Sequence, residues 1–214
     1  MEYLVDMTTH VPEGTPSEVV DDVRGREAAH TRELAAQGHV LRLWRPPLAP
    51  GQWRTIGLFA ADDAAGLERV LASMPLRVWR TDEATELSPH QNDPALGPTA
   101  MRSRQDGEPM TEFLVHFTSA VPEQTDPADV AEATANEVDR VRELAKEGHL
   151  DRLWGMPSEQ RPAPVLGLFI AADEGQLQAI LQSLPLYPYA KIQTTRLTSH
   201  PSDPAGTGGG GASR

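Results

Sequence analysis

Two glutamates stand among apolar residues on predicted helices, and a carboxylate in that setting can move protons. Glu27 and Glu137 each lie at helical spacing from the residues of an inward-facing stripe. Burial disfavours the anion, so the pKa of each carboxyl is expected to rise toward the range useful for general acid and base catalysis, unless a cation compensates. The alternative is a side chain that extends to solvent or caps a neighbouring loop. The stripe residues are Val20, Val23, Thr31 and Leu34 around Glu27, and Val130, Ala133, Val141 and Leu144 around Glu137.

The other residue types indicate no second chemistry. The chain has no cysteine, which excludes thiol catalysis, disulfides and thiolate metal sites. Its 7 histidines show no HxH or HExxH spacing, so we predict neither a metal site nor a cofactor. No GxSxG, P-loop or GxGxxG motif is present.

The two glutamates correspond because the chain is a tandem repeat. An offset of 110 aligns the two halves without gaps, with roughly 35 of 93 positions identical. His90 and His200 correspond in the same way near the end of each copy, where we expect them to dock on a neighbouring subunit. The predicted domains are a first repeat over residues 1–93, a linker over 94–110, a second repeat over 111–204 and a disordered tail over 205–214.

Each repeat shows the order strand, helix, strand, strand, helix, strand. Alternating apolar residues predict the strands, helical spacing predicts the helices, and Gly38 or Gly148 supplies a left-handed stop after the first helix. This order predicts the α+β class, with two ferredoxin-like βαββαβ repeats packed as an intramolecular dimer, a dimeric α+β barrel. The open sheet face of each repeat needs cover, and the other copy can supply it.

The charge balance of the chain argues against some classes of binding partner. Asp and Glu number 31 against 19 Lys and Arg, for a net charge of −12, which argues against a nucleic acid or an anionic membrane as partner. The N-terminus lacks the pattern of a secretory signal, and no apolar run approaches ~18 residues. We therefore expect a cytoplasmic protein that binds a small molecule.

Several blocks in a fixed order resemble the muconolactone delta-isomerase family. In the first repeat they are the glutamate on the first helix, RELAAQGHVLRLWR, MPLRVW and HQND. In the second repeat they are ANEVDRVRELAKEGHLDRLW, SLPLYPYAKIQTTRLTSH and HPSD. The resemblance covers nearly the whole chain outside the linker and tail. Ordinary members are single-repeat chains that assemble through dimers, commonly into decamers, so this chain resembles a covalently joined dimer and homo-oligomer formation stays open.

The resemblance implies a cofactor-free 1,3-proton shift in an unsaturated lactone. Glu27 and Glu137 match the position of the family's proposed acid and base. A substrate anion and a dienolate intermediate would both be stabilised by cations. The residues that could bind substrate are Arg24, Arg42, Arg45 and Arg152 as cations, with Trp44 and Trp154 as walls of the pocket or as core aromatics.

The two repeats diverge in opposite directions. Arg24 and Arg45 of the first repeat correspond to Thr134 and Gly155 in the second. Conversely, the first repeat has Arg77, Trp79 and Arg80 in place of the aromatic LPLYPY pattern of the second. This divergence indicates either one active and one structural half or a changed substrate. Because the first repeat keeps the arginines, we predict that it is the better catalyst.

Three functions remain open at this point. The first is an isomerase acting on a small unsaturated lactone or a related enolisable acid, for which a polar cavity should reach Glu27 or Glu137. The second is a cofactor-independent oxygenase or cyclase of an aromatic or polyketide pathway, for which the cavity should be larger and mostly apolar. The third is a binding or assembly protein, whose core would be filled and whose two acids would lie at the surface.

Overall fold

The computed structural model describes residues 1–96 and 110–209, with side chains described up to residue 206. The chain divides into two compact units that do not coincide with the two repeats. The first unit comprises Met1–Leu87 together with the C-terminal segment from Thr198, and the second comprises Ser88–Leu197. Each unit is therefore one repeat completed by the end of the other repeat. The predicted linker and tail lie partly outside the described residues, at 97–109 and 210–214.

The first unit is a four-stranded antiparallel sheet with two helices. Strand β1 lies between β3 and β4, and β3 also pairs with β2, which gives the order β4, β1, β3, β2. The end of the chain then adds to β2, where Ser199 pairs with Trp44. The elements are β1 (Glu2–Thr9), α1 (Ser17–Ala36), β2 (Val40–Arg45), β3 (Arg54–Ala60), α2 (Ala64–Ser73) and β4 (Arg80–Pro89).

The second unit repeats this arrangement. Strand β5 lies between β7 and β8, and β7 pairs with β6. Ser88 and Pro89, the last residues of β4, pair with Gly155 and Trp154 of β6. The elements are β5 (Thr111–Ser119), α3 (Pro127–Glu147), β6 (Leu150–Gly155), β7 (Val165–Ala171), α4 (Glu174–Gln182) and β8 (Ala190–Ser199). The predicted class, α+β with two ferredoxin-like repeats, is confirmed.

Local sequence explains where these elements lie. Strand β1 alternates, so that Tyr3, Val5 and Met7 are buried while their neighbours are not. The first helix of each repeat ends before Gly38 or Gly148, both in the left-handed conformation at φ +80°. Within each unit the buried face of the sheet packs against its two helices in one apolar core. The helices thereby hold Glu27 and Glu137 toward the sheet.

The exchanged chain ends are fixed by two buried aspartates. In the first unit Asp203 accepts hydrogen bonds from the Leu43 backbone N–H at 3.1 Å and from the Arg42 guanidinium, whose Nη2 lies 3.1 Å away. In the second unit Asp93 accepts from the Leu153 N–H at 3.1 Å and from Arg152. Burying a carboxylate is tolerated here because charge-assisted hydrogen bonds replace its hydration.

None of the helices among the described residues combines the length and the apolar character that a membrane span requires.

Candidate active sites

Glu27 lies on the wall of a cavity of about 200 Å³ in the first unit. Helix α1 contributes Arg24 and Glu27, strand β2 contributes Arg45, and the exchanged C-terminal segment contributes His200. Trp53 and Arg80 also line this cavity, and the Arg24 guanidinium stacks over the Trp53 ring at 5.3 Å. The cavity is therefore small and rich in cationic groups.

Both carboxylate oxygens of Glu27 are occupied by protein donors. Oε2 accepts from the Leu76 backbone N–H at 2.8 Å, and Oε1 accepts from Nη1 of Arg80 at 3.1 Å. Arg80 in turn binds Asp82 through Nε at 2.6 Å and through Nη2 at 3.0 Å. The side chains of Arg80 and Asp82 are only 3% and 2% exposed. A buried network of opposite charges thus holds Glu27 in place.

Burial raises the pKa of Glu27 despite this network. Desolvation is the largest cause, and it is opposed by the Leu76 N–H and by the charge of Arg80. Asp82 pushes the pKa up again because it is a second negative charge on the same arginine. The carboxyl is thus desolvated but has a cation at hydrogen-bond distance, which weakens it as a base.

Glu137 lies on a larger and more apolar cavity, of about 480 Å³, in the second unit. Its walls are built by α3, the core side of the sheet and the loop between β6 and β7. In the part of the chain that the structure describes, no lysine or arginine lines this cavity, and Glu137 is the acidic residue on its wall. The apolar lining includes Phe117, Val121, Val138, Pro164, Phe169 and Leu186.

Glu137 keeps one carboxylate oxygen available to this cavity. Oε2 accepts from the Leu186 backbone N–H at 2.9 Å. Within the described residues no donor reaches Oε1, and no buried side-chain oxygen is left without a partner, so Oε1 is accessible. Burial raises the pKa of Glu137, opposed only by the Leu186 N–H. The contrast with Glu27 arises from Arg80 and Asp82, which correspond to Ala190 and Ile192 in the second repeat.

The exchanged chain ends bring a histidine to each cavity. His90 lines the cavity of Glu137, and His200 lines that of Glu27. The Nδ1 atom of His90 accepts the Asn92 backbone N–H at 3.2 Å, and that of His200 accepts the Ser202 N–H at 3.1 Å, so each neutral ring carries its proton on Nε2. Burial lowers the pKa of His90, and burial together with Arg45 lowers the pKa of His200 to about 4.

These two histidines were missed as site residues at the sequence level. The sequence predicts that they dock on a neighbouring subunit, and in the structure each lines a cavity within one unit of the chain. Their recurrence at the same position of both repeats was the available signal. It did not show which glutamate each would join, because that depends on the exchange of chain ends.

The predicted substrate-binding residues divide into two groups. Arg24 and Arg45 line the cavity of Glu27, as expected. Arg42, Arg152, Trp44 and Trp154 line neither of the two cavities described. Each of these arginines stacks at 4.8 Å over the tryptophan two residues on and binds a buried aspartate. Both tryptophans are fully buried, so these four residues anchor the exchanged chain ends.

The described residues contain no group of three or more His, Cys, Asp or Glu side chains placed to hold a metal ion. Each cavity is lined by one glutamate and one histidine, together with three arginines in the first cavity and two tyrosines in the second. This set is suited to proton transfer at an acidic carbon.

Fold and site together define a tandem α+β protein with a glutamate-bearing cavity in each unit. The family model described as muconolactone delta-isomerase matches residues 1–93 and 111–203, and the chain belongs to this family. The muconolactone delta-isomerase of Rhodococcus opacus is 31% identical over 94 residues, which is 44% of this chain and 98% of the relative. Muconolactone delta-isomerase 1 of Acinetobacter lwoffii is 29% identical over 90 residues, 42% of this chain and 91% of the relative.

Solved structures that resemble the chain show its fold. A mutant chlorite dismutase from Candidatus Nitrospira defluvii aligns with a TM-score of 0.57 at 12% identity, over 94% of this chain and 92% of its own. A heme-binding protein from Thermus thermophilus aligns with a TM-score of 0.55 at 11% identity, over 94% and 93%. Each alignment covers nearly the full length of both chains, so the likeness in fold is not confined to one repeat.

Proposed function

We propose that the chain is a cofactor-free isomerase that catalyses a 1,3-proton shift in an unsaturated lactone or a related enolisable carbonyl compound, with Glu137 as acid and base. One observation carries this proposal: the desolvated carboxylate of Glu137 presents an oxygen to a cavity of about 480 Å³ without a cation at hydrogen-bond distance. Membership of the muconolactone delta-isomerase family supports the reaction type.

The reaction needs one group that first removes a proton and then returns it. Oε1 of Glu137 would take a hydrogen from the γ carbon of the α,β-unsaturated carbonyl group, and the electron pair of that C–H bond would pass into the π system. The resulting dienolate carries its charge on the carbonyl oxygen. Glu137, now protonated, would return the proton two carbons away, so no other reactant is consumed.

Neutral donors on the cavity wall would stabilise the dienolate. His90 lines the cavity and carries its proton on Nε2, because Nδ1 accepts the Asn92 N–H. The Tyr187 hydroxyl accepts from Nε2 of Gln178 at 2.8 Å, so its own hydrogen would be available to a ligand in the cavity that Tyr187 lines. Donors held in a desolvated cavity are effective because they need no reorganisation as the charge develops.

Glu27 then has a lesser part in the reaction. Arg80 and the Leu76 N–H occupy both of its oxygens, so taking up a proton would cost the ion pair with Arg80. This reverses the expectation that the first repeat is the better catalyst. The arginines that motivated that expectation line the cavity of Glu27, whereas the glutamate without a cation at hydrogen-bond distance lies in the other unit, which supports Glu137 as the base.

The size and apolar lining of the second cavity favour one alternative function. A cofactor-independent oxygenase or cyclase that handles an aromatic or polyketide substrate would also need a base in a large apolar cavity. The two functions differ in their co-substrate. Oxygen uptake that depends on Glu137, without proton exchange in the absence of oxygen, would support the oxygenase.

Matched glutamine variants test the proposal. The rate of deuterium incorporation from D₂O is measured with a panel of unsaturated lactones. Glu137→Gln is expected to lower this rate by about 10²- to 10⁴-fold, the usual contribution of general acid and base catalysis. Glu27→Gln is the control, and it should retain most of the rate. The proposal fails if Glu27→Gln abolishes incorporation and Glu137→Gln does not.

A further inference from the structure

The walls of the second cavity differ from those of the first mainly in charge. Arg24 and Arg45 line the first cavity, and Thr134 and Gly155 line the second at the corresponding positions. Arg80 of the first cavity is replaced by Ala190, which also lines the second. Three cations have thus been exchanged for small uncharged residues at positions that face the ligand space in both units.

A carboxylate ligand would have no counter-charge in the second cavity. Among the described residues, Glu137 is the charged residue on its wall, and it is negative whenever it acts as a base. His90 cannot supply a positive charge at neutral pH, because burial lowers its pKa. An anion would be desolvated and repelled by Glu137, which is the costly combination in a low-dielectric site.

The same replacements enlarge the second cavity. Trp53 corresponds to Ala163, so a bulky aromatic that lines one cavity is a methyl group in the other. Like the change from Arg80 to Ala190, it goes in the direction of the larger volume, about 480 against about 200 Å³. Cavities of roughly 300–1,000 Å³ with apolar walls accept ligands larger than a single small ring.

We infer that the second cavity selects an uncharged, multi-ring or long-chain enolisable carbonyl compound and rejects carboxylates. Naming this compound a substrate rests on the proposed function, but the preference for a neutral ligand does not depend on turnover. The neutral donors His90 and Tyr187 would bind its carbonyl oxygen, and the apolar walls would bind its body.

A pair of coumarin probes tests this preference by binding alone. Coumarin-3-carboxylate and its ethyl ester are lactones of similar size, and neither has a hydrogen that Glu137 could remove next to the carbonyl. Titration calorimetry at pH 7.5 is carried out on the full chain with Arg24→Thr, which removes a cation from the first cavity. The ester is expected to bind at least tenfold more tightly than the carboxylate.

Adding Thr134→Arg restores the cation that the first unit has at this position. It should strengthen carboxylate binding about tenfold, since hydrogen bonds to charged groups are among the stronger ones, and should change ester binding little. Asn136→Arg is the matched control, because Asn136 is exposed on the same helix and does not line the cavity.

Three results would overturn the inference. They are equal binding of ester and carboxylate, binding of neither probe, and an equal effect of Thr134→Arg and Asn136→Arg. A failure of the deuterium experiment with this binding preference intact would remove only the proposed reaction. The two claims therefore fail separately.

Discussion

At the scale of single residues, one glutamate has been kept in two copies while its surroundings changed. Each carboxylate accepts one backbone N–H, from Leu76 or Leu186, and each is desolvated. What differs is the second oxygen, which Arg80 occupies in the first unit and which faces a cavity in the second. The chemistry of a carboxyl group depends on such neighbours more than on its own type.

The pH dependence of turnover should report the environment of Glu137. Burial raises the pKa of this carboxyl, and a base must be ionised to act, so activity should rise with pH through a midpoint above the ordinary value for glutamate. Thr134→Arg places a cation on the same wall and should move this midpoint to lower pH. The measurement is kcat/KM against pH for both proteins, and a midpoint that Thr134→Arg leaves unchanged would contradict the assignment.

At the scale of elements, the strands that follow the second helix of each repeat decide whether a cation binds the second oxygen of the glutamate. Strand β4 begins with Arg80 and carries Asp82, whereas β8 has Ala190 and Ile192 at the same positions. Both strands pair with their neighbours in the same register, Arg80 with Thr9 and Ala190 with Ser119. The backbone is therefore constant, and two side chains change the state of a glutamate on a facing helix.

Grafting residues of the second repeat onto β4 and onto the 3-10 turn before it should release Glu27. The variant combines Arg77→Tyr, Arg80→Ala and Asp82→Ile in a Glu137→Gln background. Arg80→Ala removes the cation from Glu27. Asp82→Ile removes the buried carboxylate of Asp82, which would otherwise lose both of its arginine partners. Deuterium incorporation into a small unsaturated lactone is expected to recover by about tenfold or more over Glu137→Gln alone, as a base is freed. Adding Glu27→Gln must abolish the recovered rate; if it persists, the base is elsewhere.

The sequence alone predicted the helices and strands and the glutamate on the wall of each cavity. Periodicity and glycine stops predicted the order of the elements and the ends of α1 and α3, and the apolar stripe predicted that Glu27 and Glu137 face inward. The long-range partners were not predictable in the same way. The pairing of Arg80 with Glu27 joins residues 53 positions apart. That of Asp203 with Arg42 spans 161 positions and depends on which chain end completes which unit.

At the scale of the whole molecule, the repeats are bound to one another by the exchange of their ends. The first unit is completed by residues from Thr198 onward, and the second by Ser88 and the residues that follow it. A single repeat therefore lacks the aspartate anchor and the cavity histidine of its unit, because the end of the other repeat supplies both. Both copies must stay in one chain or one assembly for either cavity to keep its full wall.

The buried aspartate anchors provide the test of this exchange. Asp203 is 1% exposed and holds the Leu43 N–H and the Arg42 guanidinium, so Asp203→Ala leaves buried donors without their carboxylate. Breaking a buried ion pair in this way costs about 3–5 kcal/mol, which for a chain of this size lowers Tm by roughly 6–20 °C. Asp62→Ala is the control, since Asp62 is an exposed acid in the same unit.

Hydrogen exchange then shows where the damage falls. In Asp203→Ala the amides of β2 (Val40–Arg45) should lose protection, although the substitution lies in the sequence of the second repeat. In Asp93→Ala, a change in the sequence of the first repeat, the loss should fall on β6 (Leu150–Gly155). If each substitution instead loosens the strands of its own repeat, or if neither lowers the Tm more than Asp62→Ala does, the ends are not exchanged in solution. The two sites would then have to be built from single repeats.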